Sequence, residues 1–196
     1  MSKINKQNPI SQQLPAGVLA NDHNIEFAGV KDSQTVIWLQ RGNVHAFCDM
    51  PSDLYQKLKD KYLNDAPAVA YLSQFNFNIR RQVELFTYYM YGALDGTPDV
   101  INGELQPSEN FRDTLDCVSL KWNSKTIDYK GVELKPKQIK ILDFISEDLP
   151  DKAIAAELNI SMKTLDYHKK ALYTLLGVSN KTAAVLTAVK ANIISA

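Results

Sequence analysis

An α+β domain followed by an all-α, four-helix domain is the fold this 196-residue sequence predicts, on three observations. Two β-rich runs, Gln34-Thr-Val-Ile-Trp-Leu39 and Asn43-Val-His-Ala-Phe47, flank the turn pair Arg41-Gly42, and the pattern between residues 52 and 91 then becomes helical. From Pro136 onward, apolar residues recur at helical spacing in four blocks separated by short turns. Fifteen of the 18 aromatic residues fall within residues 1–132, so this part has a core of its own. The sequence therefore divides into an arm, 1–13, an α+β domain, 14–132, and a helical domain, 133–196.

Residues 1–13 are polar, rich in Asn, Gln, Ser and Lys, and are read as a mobile arm. Asn24-Ile-Glu-Phe-Ala28 adds a short strand ahead of the Arg41-Gly42 hairpin. Ser52 is the expected N-cap of a helix over Asp53–Leu63, whose Leu54, Leu58 and Tyr62 share a face. Pro67 opens a second helix to about Phe75, and Arg80–Tyr91 forms a third, stopped by Gly92. Residues 98–113 read as loop. Val118–Trp122 and Thr126–Tyr129 fit two short strands, or a linker packed on a neighbouring domain.

In the helical domain, Pro136 starts a helix with Ile139, Leu142 and Ile145 on one face. Asp151–Leu158 makes a short helix with Ile154, Ala155 and Leu158 inward, followed by the tight turn Asn159-Ile-Ser161. Ser161 caps a third helix with Leu165, Leu172 and Leu176 inward, and Gly177 ends it. Ser179 or Asn180 caps a fourth, which carries Val185, Leu186, Val189 and Ile193.

Composition excludes several classes. No apolar run approaches the roughly 20 residues of a membrane span, and the opening residues lack the apolar stretch of a signal peptide. Two cysteines, Cys48 and Cys117, make neither a disulfide scaffold nor a zinc module, so a reducing cytoplasm is expected. There is no glycine-rich phosphate loop, no Gly-x-Ser-x-Gly and no His-Glu-x-x-His, so no enzymatic activity and no cofactor are expected. His45, Cys48 and Asp49 could ligate a metal only with further donors from Cys117, His23 or scattered acids, and no metal site is expected. The aromatic patch of Phe86, Tyr88, Tyr89 and Tyr91, with Phe75 and Phe77 before it, reads as packed core rather than a ligand pocket.

A short helix, a three-residue turn and a longer helix with basic residues on its outer face is the helix-turn-helix arrangement. Its mechanism is geometric: the major groove, about 12 Å wide, admits one α-helix whose exposed side chains reach base edges. Here the reader is Met162–Leu176, with Lys163, Asp166, Tyr167, Lys169 and Lys170 off the apolar stripe. At these residues the chain resembles the LuxR-type (GerE-type) DNA-binding domain. The matching text is Leu134-Lys-Pro-Lys-Gln-Ile-Lys-Ile-Leu142, Asp151-Lys-Ala-Ile-Ala-Ala-Glu-Leu-Asn-Ile-Ser161, Lys163-Thr-Leu-Asp-Tyr-His168 and Leu176-Gly-Val-Ser-Asn-Lys-Thr-Ala-Ala-Val185. The resemblance is confined to the C-terminal domain, and it implies a four-helix domain that binds double-stranded DNA as a homodimer and regulates transcription.

Four positions depart from the resembled pattern: Lys135 for Ser or Thr, Gln138 for Glu, Asp148 for Gly, and Asp166 for Lys. The resemblance places Asp166, Tyr167 and Lys170 against bases, where an acidic Asp166 can accept a hydrogen bond from cytosine N4. Lys163, Thr164, His168, Lys169 and Lys181 are then the phosphate contacts. The fourth helix carries a surplus apolar face, and Leu186, Val189 and Ile193 are its dimerisation residues. Partners could extend to RNA polymerase, and to a small-molecule or protein signal at the N-terminal domain, which shows neither a phosphoacceptor receiver nor an acyl-homoserine-lactone sensor pattern. Two other classes stay open: a winged-helix reader using a small sheet at Thr126–Leu134, and a protein-interaction module that keeps the four helices without DNA affinity.

The formal net charge is zero, with 22 basic and 22 acidic residues. It is divided unevenly: residues 1–132 carry 13 basic and 15 acidic side chains, residues 133–196 carry 9 and 7. Neutrality overall therefore leaves room for a modestly basic DNA reader.

Overall fold

The computed structural model describes residues 14–112, 114, 117–191, 193 and 194. The expected arm, 1–13, lies outside the described residues. The chain forms two compact units, Met1–Phe111 and Arg112–Ala196. The division falls well before the expected one at 132/133. Residues 112–132 cluster with the helical unit because Leu120 and Ile127 pack into its core beside Leu134, Ile139 and Leu142.

The N-terminal unit is built on a three-stranded antiparallel sheet, β1 (Glu26–Val30), β2 (Thr35–Gln40) and β3 (Asn43–Ala46), in that spatial order. Phe27 pairs with Trp38, and Trp38 in turn with His45, whose ring stacks on the indole at 4.1 Å. The β2–β3 turn has Arg41 at φ 50° and Gly42 at φ 76°, two positive values in a row, which suits the twist of a two-residue hairpin. Three helices follow: α1 (Ser52–Leu63), α2 (Ala66–Leu72) and α3 (Ile79–Tyr91), the last lying against β1 and β2. Ser52 is the first helical residue, not the cap; Pro51 holds the cap position and offers no side-chain acceptor. The other two helices are capped by Asp65 and Asn78, whose side chains accept from Ala68 and Arg81 amides.

The core of this unit is aromatic. Phe27, Tyr62, Phe86, Tyr88 and Tyr91 are fully buried. Gly29 brings the sheet against this layer: a Cβ there would lie 2.9 Å from the Tyr88 ring, so only glycine permits the approach. Phe75 and Phe77, expected in the core, are instead half exposed and stack on each other at 5.7 Å after α2 has ended. The expected loop 98–113 contains a small hairpin, β4 (Val100–Ile101) and β5 (Glu104–Leu105), around Asn102-Gly103.

In the C-terminal unit the expected strand Val118–Trp122 is a 3-10 turn over Val118–Lys121, and β6 (Asp128–Tyr129) pairs with β7 (Val132–Glu133). Four helices follow as expected: α4 (Pro136–Ser146), α5 (Asp151–Glu157), α6 (Met162–Leu176) and α7 (Lys181–Lys190). Leu142, Ile154, Leu165, Leu172, Ala184 and Ala188 bring all four into one core. No helix among the described residues is long and apolar enough to cross a membrane.

Candidate nucleic-acid interface

The angle between α5 and α6 is set by backbone chemistry at two helix ends. α5 closes on Asn159 at φ 51°, with Asn159 N–H donating to the Ala156 carbonyl at 3.0 Å and Ile160 N–H to that of Ala155 at 2.9 Å. This is the Schellman closure, which satisfies the last carbonyls of a helix and sends the chain sharply away. Ser161 then caps α6: its Oγ accepts from the Thr164 amide at 3.1 Å and shares a hydrogen bond with the Thr164 hydroxyl at 2.8 Å. The Thr164 hydroxyl is thus engaged at the cap, at the helix end that favours anions. α6 itself ends on Gly177 at φ 68°, and Val178 N–H reaches the Tyr173 carbonyl at 2.9 Å.

α4 shows how two of the sequence departures are accommodated. Lys135 has no acceptor to offer as an N-cap, but Gln138 Oε1 accepts from the Lys135 amide at 2.7 Å, one half of a capping box. Asp148 sits at φ 58°, the left-handed position where glycine is usual and a short polar side chain is tolerated. Asp148 N–H donates to Ile145 at 3.2 Å and Leu149 N–H to Phe144 at 3.1 Å, so the helix closes as α5 does.

Leu165, Leu172 and Leu176 are buried along one side of α6. Lys163, Asp166, Tyr167, Lys170 and Thr174 occupy the opposite side at helical spacing, all exposed, with Tyr167 at 71%. The structure therefore brings together the three expected base-facing residues, Asp166, Tyr167 and Lys170, on one outward stripe. His168 is half-buried, with its ring edge-on to Tyr167 at 5.8 Å.

Two expected phosphate lysines are committed elsewhere. Lys169 Nζ donates to both carboxylate oxygens of Asp151 in the first turn of α5, at 2.7 and 2.8 Å. Lys181 Nζ donates to Asp148, which holds that carboxyl below the usual carboxylate range through the hydrogen bond and then the charge. Lys163 and Lys170 remain exposed on the stripe. The dimerisation set is also divided. Leu186 is 53% exposed and Val189 is half-buried against the core, but Ile193, expected partly outside, is fully buried. α7 ends at Lys190, and the Ile193 amide bonds to the Ala188 carbonyl at 2.8 Å as its side chain enters the core.

Residues 133–188 match the family model of bacterial regulatory proteins, luxR family. The helix-turn-helix domain is of the LuxR type. No curated protein and no solved structure matches the chain. The LuxR-type match spans under a third of the chain and takes in α4, α5, α6 and most of α7.

Sequence reasoning missed Arg112, which lies outside the LuxR-type match. Its guanidinium forms a bidentate pair with Asp143 of α4, with Nη2 to Oδ1 at 2.6 Å, and both side chains are at most 8% exposed. The signal was an aspartate next to Leu142 on the apolar side of α4, which a buried cation must answer.

Proposed function

We propose that this chain is a sequence-specific transcriptional regulator that places α6 in the major groove of double-stranded DNA and acts as a homodimer in the cytoplasm. The observation that carries the reading is the outward stripe of α6. A helix capped at both ends and anchored by Leu165, Leu172 and Leu176 presents Lys163, Asp166, Tyr167 and Lys170 on one exposed stripe. Asp166, Tyr167 and Lys170 read bases, with Asp166 favouring a cytosine amino group. Lys163, Thr164 and His168 contact phosphates, assisted by the amides at the α6 N-terminus. Lys169 and Lys181 contribute to that contact only by leaving Asp151 and Asp148.

The dimer forms through the α7 face that carries Leu186, with Val189 beside it. The N-terminal unit receives a small-molecule or protein signal, and RNA polymerase is the partner through which DNA binding becomes regulation. Binding-site selection followed by a salt titration tests the reading. A defined site emerges, and log affinity falls linearly with log salt, by roughly 0.9 per phosphate neutralised. Replacing Asp166 with Ala changes the preferred base at one position in each half-site. No association with DNA even at low salt would instead mark a protein-interaction module on the same four helices.

A further inference from the structure

The N-terminal unit gathers acids from three chain segments at one place. Glu26 comes from β1, Asp95 from the segment after α3, and Glu109 from the segment after β5. One carboxylate oxygen of each lies within 4.8 Å of the others. Glu26 is fully buried. Its Oε1 accepts from the Asp95 amide at 3.0 Å and the Gly96 amide at 3.1 Å, while its Oε2 is buried with no hydrogen-bond partner. Glu109 repeats the pattern: Oε2 accepts from the Ala93 amide at 2.9 Å, and Oε1 is buried without a partner. Glu26 is thus held by backbone amides through one oxygen, and its other oxygen is buried with no hydrogen-bond partner. An unanswered buried carboxylate oxygen is unfavourable.

Neighbouring charges do not relieve it. Lys61 is the cation placed near Asp99, and its ammonium donates to the Tyr91 hydroxyl. Asp99 accepts from the Phe27 amide at 2.7 Å and hydrogen-bonds Glu109. That arrangement orients Glu109 as an outer hydrogen bond orients a metal ligand.

We propose that Glu26, Asp95 and Glu109 bind a hard divalent cation of the calcium type, tying β1 to the two segments that follow α3 and β5. The donor set is all oxygen, with no His or Cys among it, which selects against zinc and copper. Calcium takes six to eight oxygen ligands at about 2.3–2.6 Å in flexible geometry, whereas magnesium demands a near-ideal octahedron at about 2.0–2.1 Å and keeps several of its waters, so three carboxylates drawn from separate segments suit calcium better. The inference concerns the N-terminal unit alone and does not rest on DNA binding.

The test uses the full chain, stripped with a chelator and dialysed, then titrated with calcium chloride against sodium chloride at matched ionic strength. Calorimetry gives a one-site isotherm, and Tm rises by several degrees, continuing upward with calcium concentration as linkage requires. Glu109→Gln weakens binding at least about 10-fold, and Asp95→Asn, at the half-buried rim, does the same if Glu26→Gln fails to fold. The proposal is overturned if millimolar calcium leaves Tm where matched sodium leaves it, or if Glu109→Gln keeps the full response. An equal response to magnesium with none to calcium overturns the assignment of the ion.

Discussion

In the C-terminal unit a buried carboxylate, Asp143, faces a buried guanidinium, Arg112, in a bidentate pair. In the N-terminal unit Glu26, Asp99 and Glu109 sit beside one another, with backbone amides as their main donors. The first arrangement cancels its own charge and fails only when one member is removed. The second stays tolerable while protons, or a cation, neutralise it. Burial pushes Glu26 up to about 7 and Glu109 up to about 8, whereas α6 of the LuxR-type domain carries no buried acid. The same cost of burying charge therefore gives a fixed brace in one unit and a condition-dependent junction in the other.

The largest expected effect breaks the brace. Asp143→Ala leaves a guanidinium buried and unanswered, and should cost about 3–5 kcal/mol in urea unfolding of the C-terminal unit. Replacing both Arg112 and Asp143 with Leu or Met should recover most of that loss; a single variant costing under about 1 kcal/mol would remove the contrast.

The junction predicts a pH effect of definite sign. The glutamates have ordinary values of 4.5 and raised values when folded, so the folded state holds protons that the unfolded chain gives up. Their contribution is complete below pH 4.5 and is lost as pH rises through about 7 and about 8. Hydrogen exchange of β1 and α3 amides in chelator should show protection declining over that window. Rising protection would contradict the raised values.

Among the lysines the contrast is between free and committed charge. Lys163→Ala should lower the salt slope of DNA binding by about 1, while Lys169→Ala should leave the slope nearly unchanged. Asp151→Asn, by releasing Lys169, should raise affinity modestly at low salt. The smallest effect lies in the turn between α5 and α6: Asn159→Ala should cost about 1 kcal/mol in thermal unfolding, and Asn159→Gly little or nothing.

Most of the helical unit was legible, because four blocks with clear apolar stripes and local caps at Ser161 and Asn180 decide their own boundaries. What escaped was set by distance. Lys169 follows Leu165 by one helical turn, on the buried side, and its half-buried position becomes intelligible only once Asp151 is seen opposite. Ile193 looked like surface because the end of α7 at Lys190 was not foreseen. The Asn102-Gly103 hairpin carried its own signal, but strands of two residues are too short to show alternation. The acid cluster joins positions about 70 and 80 residues apart, which no spacing rule reports.

The Arg112–Asp143 pair also decides where this protein can be cut. A fragment begun at residue 133, where the family match starts, would keep every helix and lose the guanidinium, together with Leu120 and Ile127 from the core. Such a piece would look complete by homology and be short of parts by thermodynamics. The compact helical unit begins at Arg112, so a fragment that keeps the brace and the whole core starts there, ahead of the first LuxR-type helix.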